Sequence, residues 1–235
     1  MKAVLGVLGG MGPLATVDFL RKLIEETPAE RDEDHLPVIA WSVPQIPDRP
    51  SAITGDGESP LPALLAGVRT LKAAGAVALA IPCNTAHYWY DDMVRAGGLP
   101  ILHIADAALA ELESRQIAGK TVGLIATKGT LAAEFFQERL AAHGYKHVTN
   151  TDSEIDELVL PAIVHVKRNE LEAAGALLTT AVEKVIAGGA HGIILACTET
   201  PVVLDRLPLQ LSAQCVDATR ALAQACVKWW KENQA

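Results

Sequence analysis

A chain of 235 residues, half of them apolar and a fifth charged, has an ordinary globular composition and enough length for one large domain or two small ones. A formal net charge of −8 argues against nucleic acid and anionic membrane surfaces as partners. No apolar run reaches the length of a membrane span and no signal-peptide cleavage pattern opens the chain, so a cytoplasmic location is expected.

The first apolar run, residues 2–8, reads as a strand. It leads into "GVLGGMGP" (6–13), a tight turn with Pro13 at the first position of a helix expected over 13–27. This turn lacks the G-x-G-x-x-G dinucleotide fingerprint, but its backbone N–H groups suit an anionic ligand. A charged loop (25–37) precedes a strand at 37–42. The Pro- and Gly-rich stretch 43–62 is long for an unstructured connection and reads as a lid carrying Arg49.

A helical pattern over 61–74 then gives way to a strand at 76–82, which ends in "PCNTAH". His87, in that motif, reads as a packing or locally hydrogen-bonded residue. Further helices are expected at 104–115, 130–143, 154–168 and 171–188, with strands at 121–126 and 191–196. A last helix over 213–232 takes in Cys215 and Cys226 as packing residues. Strands rich in β-branched residues, alternating with helices, indicate an α/β protein built on parallel sheets.

The chain also repeats itself. "LGVLGGMGPLATVDFLRKL" (5–23) aligns without a gap on "VGLIATKGTLAAEFFQERL" (122–140), at an offset of 117. "AAGAVALAIPCNT" (73–85) aligns on "AGGAHGIILACTE" (187–199), at an offset of 114. Cys83 and Cys197 therefore hold equivalent positions in two copies of one unit. The four cysteines match no zinc spacing, so each is a small core hydrophobe or a chemical group.

Ligands of open α/β sheets bind at the carboxyl ends of strands, where both of these thiols fall. Each precedes an expected helix start, whose dipole would lower its pKa. If the two copies face each other across a cleft, the thiols flank one ligand. Inverting a carbon centre needs that arrangement, with a base on one face and an acid on the other. Thr127 and Thr130 stand in the second copy's turn as hydroxyl donors. Glu199 either orients a substrate amine or caps a helix.

These motifs resemble those of the aspartate/glutamate racemases that work without pyridoxal phosphate. "GVLGGMGPLAT" is similar to that family's opening strand and turn, and "PCNTAH" and "ACTE" to its two cysteine motifs. "IPDR" and "VK" lie where aspartate racemases hold a carboxylate. The resemblance implies two pseudo-symmetric α/β lobes, 1–98 plus 211–235 and 99–210, with the active site between them, and a homodimer.

It further implies an isomerase without cofactor or metal, acting on a small amino acid, aspartate or its neighbour glutamate. Cys83 and Cys197 would be the two bases. Asn84, Thr85, Thr127 and Thr198 would hold the α-carboxylate, and Arg49 and Lys167 the side-chain carboxylate. Met11 would line the pocket within its turn. Alternatives are a broad-specificity racemase, a maleate-type isomerase with one thiol as nucleophile, and a dicarboxylate-binding protein in which both thiols stay idle.

Overall fold

The computed structural model describes residues 3–234. Eight strands are seen among them, in two parallel sheets of four. Strands β1 (Leu5–Gly9), β2 (Val38–Ser42), β3 (Ala78–Ala80) and β4 (Ile101–Leu102) stand in the order β2-β1-β3-β4. Strands β5 (Thr121–Ile125), β6 (Lys146–Thr149), β7 (Gly192–Leu195) and β8 (Cys215–Asp217) stand in the order β6-β5-β7-β8. The chain is thus an α/β protein of two lobes. Strands β1, β3 and β7 are buried along their whole length, which explains their unbroken apolar sequences.

The sequence repeat is carried into the strand register. Leu5 pairs with Ala78 and Gly6 with Leu79; their counterparts Val122 and Gly123 pair with Gly192 and Ile193. The two inner glycines also meet matching neighbours. A Cβ on Gly6 would lie 2.5 Å from Leu79, 2.9 Å from Ala76 and 3.3 Å from Leu71. One on Gly123 would lie 2.4 Å from Val185 and 3.2 Å from both Ala190 and Ile193, the repeat equivalents of those three. Close helix-on-sheet packing at this point excludes any larger side chain in either lobe.

Three strands escape the sequence patterns: β4, with two residues, β6, and β8. The strand expected at 2–8 is Leu5–Gly9, and the first position of that expectation lies outside the described residues. The helix expected over 213–232 begins only at Ala218, so Cys215 stands on a strand, while Cys226 is buried in the helix Ala218–Glu232. The pattern at 130–143 is two helices, Lys128–Ala132 and Phe135–Ala142, separated by Glu134 at φ 55. The 43–62 stretch is not a plain loop: it holds the helix Arg49–Thr54, whose N-cap Asp48 accepts the Ser51 N–H at 3.0 Å.

The two sheets share one buried cluster, to which Leu5, Val7 and Ala80 contribute from the first and Val122, Leu124 and Ile194 from the second. The helix Ala218–Glu232 packs on both Pro13–Glu26 and Ile104–Ser114. A buried ion triad ties the first helix to the end of the second sheet. Lys22, on the first helix, meets Asp18 at 2.5 Å and Asp217, at the end of β8, at 2.6 Å. Among the described residues, no helix is long and apolar enough to cross a membrane.

Candidate active site

The inner strands β3 and β7 deliver the two thiols. Each strand ends, one or two residues follow, and the chain turns at Cys83 or Cys197. Short 3₁₀ helices come next, Thr85–Trp89 after the first thiol and Thr200–Arg206 after the second. Cys83 and Cys197 line one cavity of about 40 Å³. Met11, Arg49, Asn84, Thr85, Thr127, Lys167, Thr198 and Glu199 line it as well, so these expected site residues converge there, while Thr130 lies outside the lining. Asp48, Pro50 and Ile163 complete the lining; no chemical pattern singles them out in the sequence, apart from the N-cap spacing of Asp48 before Ser51.

Neither sulfur has the lowered pKa expected of a helix N-terminus. Burial pushes the Cys83 thiol up, and Glu199 adds to this; Arg49 and the Ala86 N–H oppose it. Burial pushes Cys197 well above the ordinary thiol value, and the Glu199 carboxylate pushes it further. Two observations explain the departure. The helices are short 3₁₀ turns with small dipoles, and both thiols are withdrawn from water. The pair is asymmetric: a cation stands beside Cys83, and Cys197 Sγ donates to Glu199 Oε2 at 3.1 Å.

Asn84 is the clearest sign of a polar ligand. Its side chain is buried, and neither its amide nitrogen nor its oxygen has a partner among the described residues. Buried polar atoms are normally paired, so this amide suits a ligand that both accepts and donates. Arg49 is anchored by its own segment, with Nη1 donating to the carbonyls of Ile46 at 3.1 Å and Pro47 at 3.0 Å. Its Nε is buried and unpartnered. Lys167 ends the helix Leu160–Lys167 at the exposed rim, within electrostatic reach of Asp48.

Hydroxyls bridge the lobes at the same place. Thr85 Oγ1 lies 2.8 Å from Thr130 Oγ1, which lies 3.1 Å from Thr127 Oγ1. Nearby, a Cβ on Gly129 would stand 2.8 Å from the Cα of Pro50, so the Arg49–Thr54 helix rests directly on the second lobe. The cavity of about 40 Å³ holds room for only about three waters in this closed arrangement. A larger cleft, about 480 Å³, runs between the helices Ile104–Ser114 and Ala218–Glu232, but it contains neither thiol.

The sequence profile of the Asp/Glu/Hydantoin racemase family matches residues 8–226. The chain belongs to this family. It is 28% identical to the broad-specificity amino-acid racemase RacX of Bacillus subtilis, an alignment covering 99% of this chain and all of that protein. The structure of the Picrophilus torridus aspartate racemase superposes with a TM-score of 0.83 at 30% identity, covering 97% of this chain and 94% of that one. The fold is also that of the Francisella tularensis glutamate racemase bound to D-glutamate, with a TM-score of 0.73 at 14% identity, over 99% of this chain and 82% of that one. This racemase-family chain is accordingly an isomerase.

Proposed function

We propose that the enzyme racemises aspartate, with Cys83 and Cys197 acting as two acid–base groups on opposite faces of the α-carbon. The observation that carries this reading is the convergence of two repeat-equivalent thiols on one cavity that also holds Arg49 and Lys167. In the forward step a thiolate takes the α-proton. The C–H bond breaks, an S–H bond forms, and the electron pair moves towards the α-carboxylate. The facing thiol gives its proton to the other side of the carbon and becomes the thiolate.

Asn84, Thr85, Thr127 and Thr198 hold the α-carboxylate and stabilise the charge that grows on it. Glu199 takes the substrate ammonium, which offsets its repulsion of a Cys197 thiolate. Arg49 and Lys167 take the side-chain carboxylate. The small cavity supports a lid role for the segment around Arg49–Thr54, which parts from Gly129 to admit substrate and closes to exclude water.

The test is chiral chromatography of L- and D-aspartate incubated with the protein. Interconversion from both sides is expected; no interconversion across a panel of acidic amino acids would reject the proposal. The full-length similarity to RacX favours a second reading, a racemase of broad range. Comparable rates on uncharged amino acids and on aspartate would establish that reading instead.

A further inference from the structure

His87 is buried just beyond Cys83 and lies outside the cavity lining. Its Nδ1 is 2.9 Å from the carbonyl oxygen of Cys83, and its Nε2 is 3.3 Å from the backbone N–H of Ile104. A carbonyl only accepts and an N–H only donates. The imidazole is therefore neutral, protonated on Nδ1 and bare on Nε2. It joins the turn that carries Cys83 to the first turn of the helix Ile104–Ser114. The ring is packed against His103, with centroids 4.6 Å apart, and against Tyr90 and Phe135, with the Arg139 charge beyond.

We infer that His87 is a positioning residue, which holds the Cys83 carbonyl so that the following turn aims the Ala86 N–H at the Cys83 sulfur. The geometry of the turn supports this. The His87 N–H also returns to the Asn84 carbonyl at 2.9 Å, so the ring and its own backbone clamp residues 83–87 from both sides. The Ala86 N–H favours the thiolate of Cys83, as does the neighbouring Arg49. Release of the carbonyl would let the turn relax and weaken the first of these aids while leaving Cys197 alone. The inference rests on Cys83 being a proton-transfer group, but its tests do not use racemisation.

The first test is iodoacetamide labelling of the intact protein across pH, with each cysteine followed by peptide mass spectrometry. In His87→Ala, labelling of Cys83 near neutral pH is expected to slow about tenfold, with Cys197 unchanged. His87→Asn, which keeps a donor for the carbonyl, is expected to recover part of the rate. An unchanged Cys83 profile in His87→Ala, or equal slowing at both cysteines, would overturn the inference. The second test needs no variant. Nitrogen-15 NMR of histidine-labelled wild-type protein is expected to show His87 as the neutral Nδ1–H tautomer through the neutral range, and the Nε2–H tautomer would overturn the clamp.

Discussion

Cys197 Sγ donates to the Glu199 carboxylate at 3.1 Å, two residues along the same turn. The contact stabilises the thiol and opposes its ionisation, whereas Cys83 has Arg49 beside it. Two sulfurs in equivalent places of a duplicated fold thereby sit in different electrostatic settings: Glu199 raises both, and Arg49 opposes it at Cys83. Glu199→Gln removes the repulsion, so the Cys197 pKa should fall and its alkylation near neutral pH should accelerate several-fold. Racemisation should decline, since the substrate ammonium loses its partner. Peptide-mapped labelling reads the first effect and steady-state kinetics the second. An unaltered Cys197 labelling rate would show that Glu199 does not tune this thiol.

The raised thiols also set the direction of the pH–rate profile. Deprotonating one cysteine creates the base, and both groups sit above the ordinary thiol value. The kcat/KM for aspartate should therefore rise from neutral towards alkaline pH. A rate that peaks in the acid range would contradict a thiolate base.

The buried histidines make stability depend on pH on the acid side of neutrality. Burial pushes the His87 pKa down to about 4; burial and then the charge on His87 push His103 down to about 2. Both values lie below the unfolded value of about 6.5. As pH falls from there, the unfolded chain binds protons that the folded chain refuses, so stability decreases. His87 alone is worth about 3 kcal/mol by pH 4. Urea denaturation at steps from neutral to pH 4 should show this fall, and His87→Gln should flatten it. A stability flat across that range would refute neutral burial of the pair.

Lys22 is 2% exposed between Asp18 and Asp217, at 7% and 6%. Lys22→Met takes the shared cation from buried Asp217 and leaves Asp18 with Arg21 alone, at 2.7 Å, and the expected loss is about 3 kcal/mol. Chemical denaturation measures it. Equal stability of Lys22→Met and wild type would mean that water reaches the two carboxylates.

Gly129→Ala places a methyl 2.8 Å from the Pro50 Cα, a backbone atom that cannot rotate away. The Arg49–Thr54 helix should be displaced from the second lobe. Aspartate kcat/KM is expected to fall at least tenfold, with faster amide exchange across 49–54 and little change elsewhere. Exchange that stays at the wild-type level in this segment would rule out the contact as the lid's seat.

Much of this was legible in the sequence because duplication doubles the signal. The inner strands are continuous apolar runs, and the two gapless alignments reproduce the observed register. What escaped has physical reasons. Strands β4 and β8 have two and three residues, too few for any period to show. Strand β6, with sequence KHVT, is partly exposed and polar. The Arg49–Thr54 helix hides behind Pro50, which is tolerated in a first turn but reads as a breaker. In the site, the two thiols declared themselves through the repeat, whereas Arg49 and Lys167 were marked only by the resemblance to aspartate racemases. Ile163, a plain aliphatic, had nothing to mark it. Burial, which reversed the expected shift of both thiols, depends on the closed packing of two lobes and is not a local property of either motif.

Solvent deuterium incorporation at the α-carbon of L- and D-aspartate, followed by proton NMR for wild type, Cys83→Ser and Cys197→Ser, probes the two-thiol centre itself. Wild type should exchange the α-proton of both enantiomers while it racemises them, and each serine variant should lose racemisation. Racemisation at the wild-type rate by either variant would mean that the two sulfurs do not share the proton transfers.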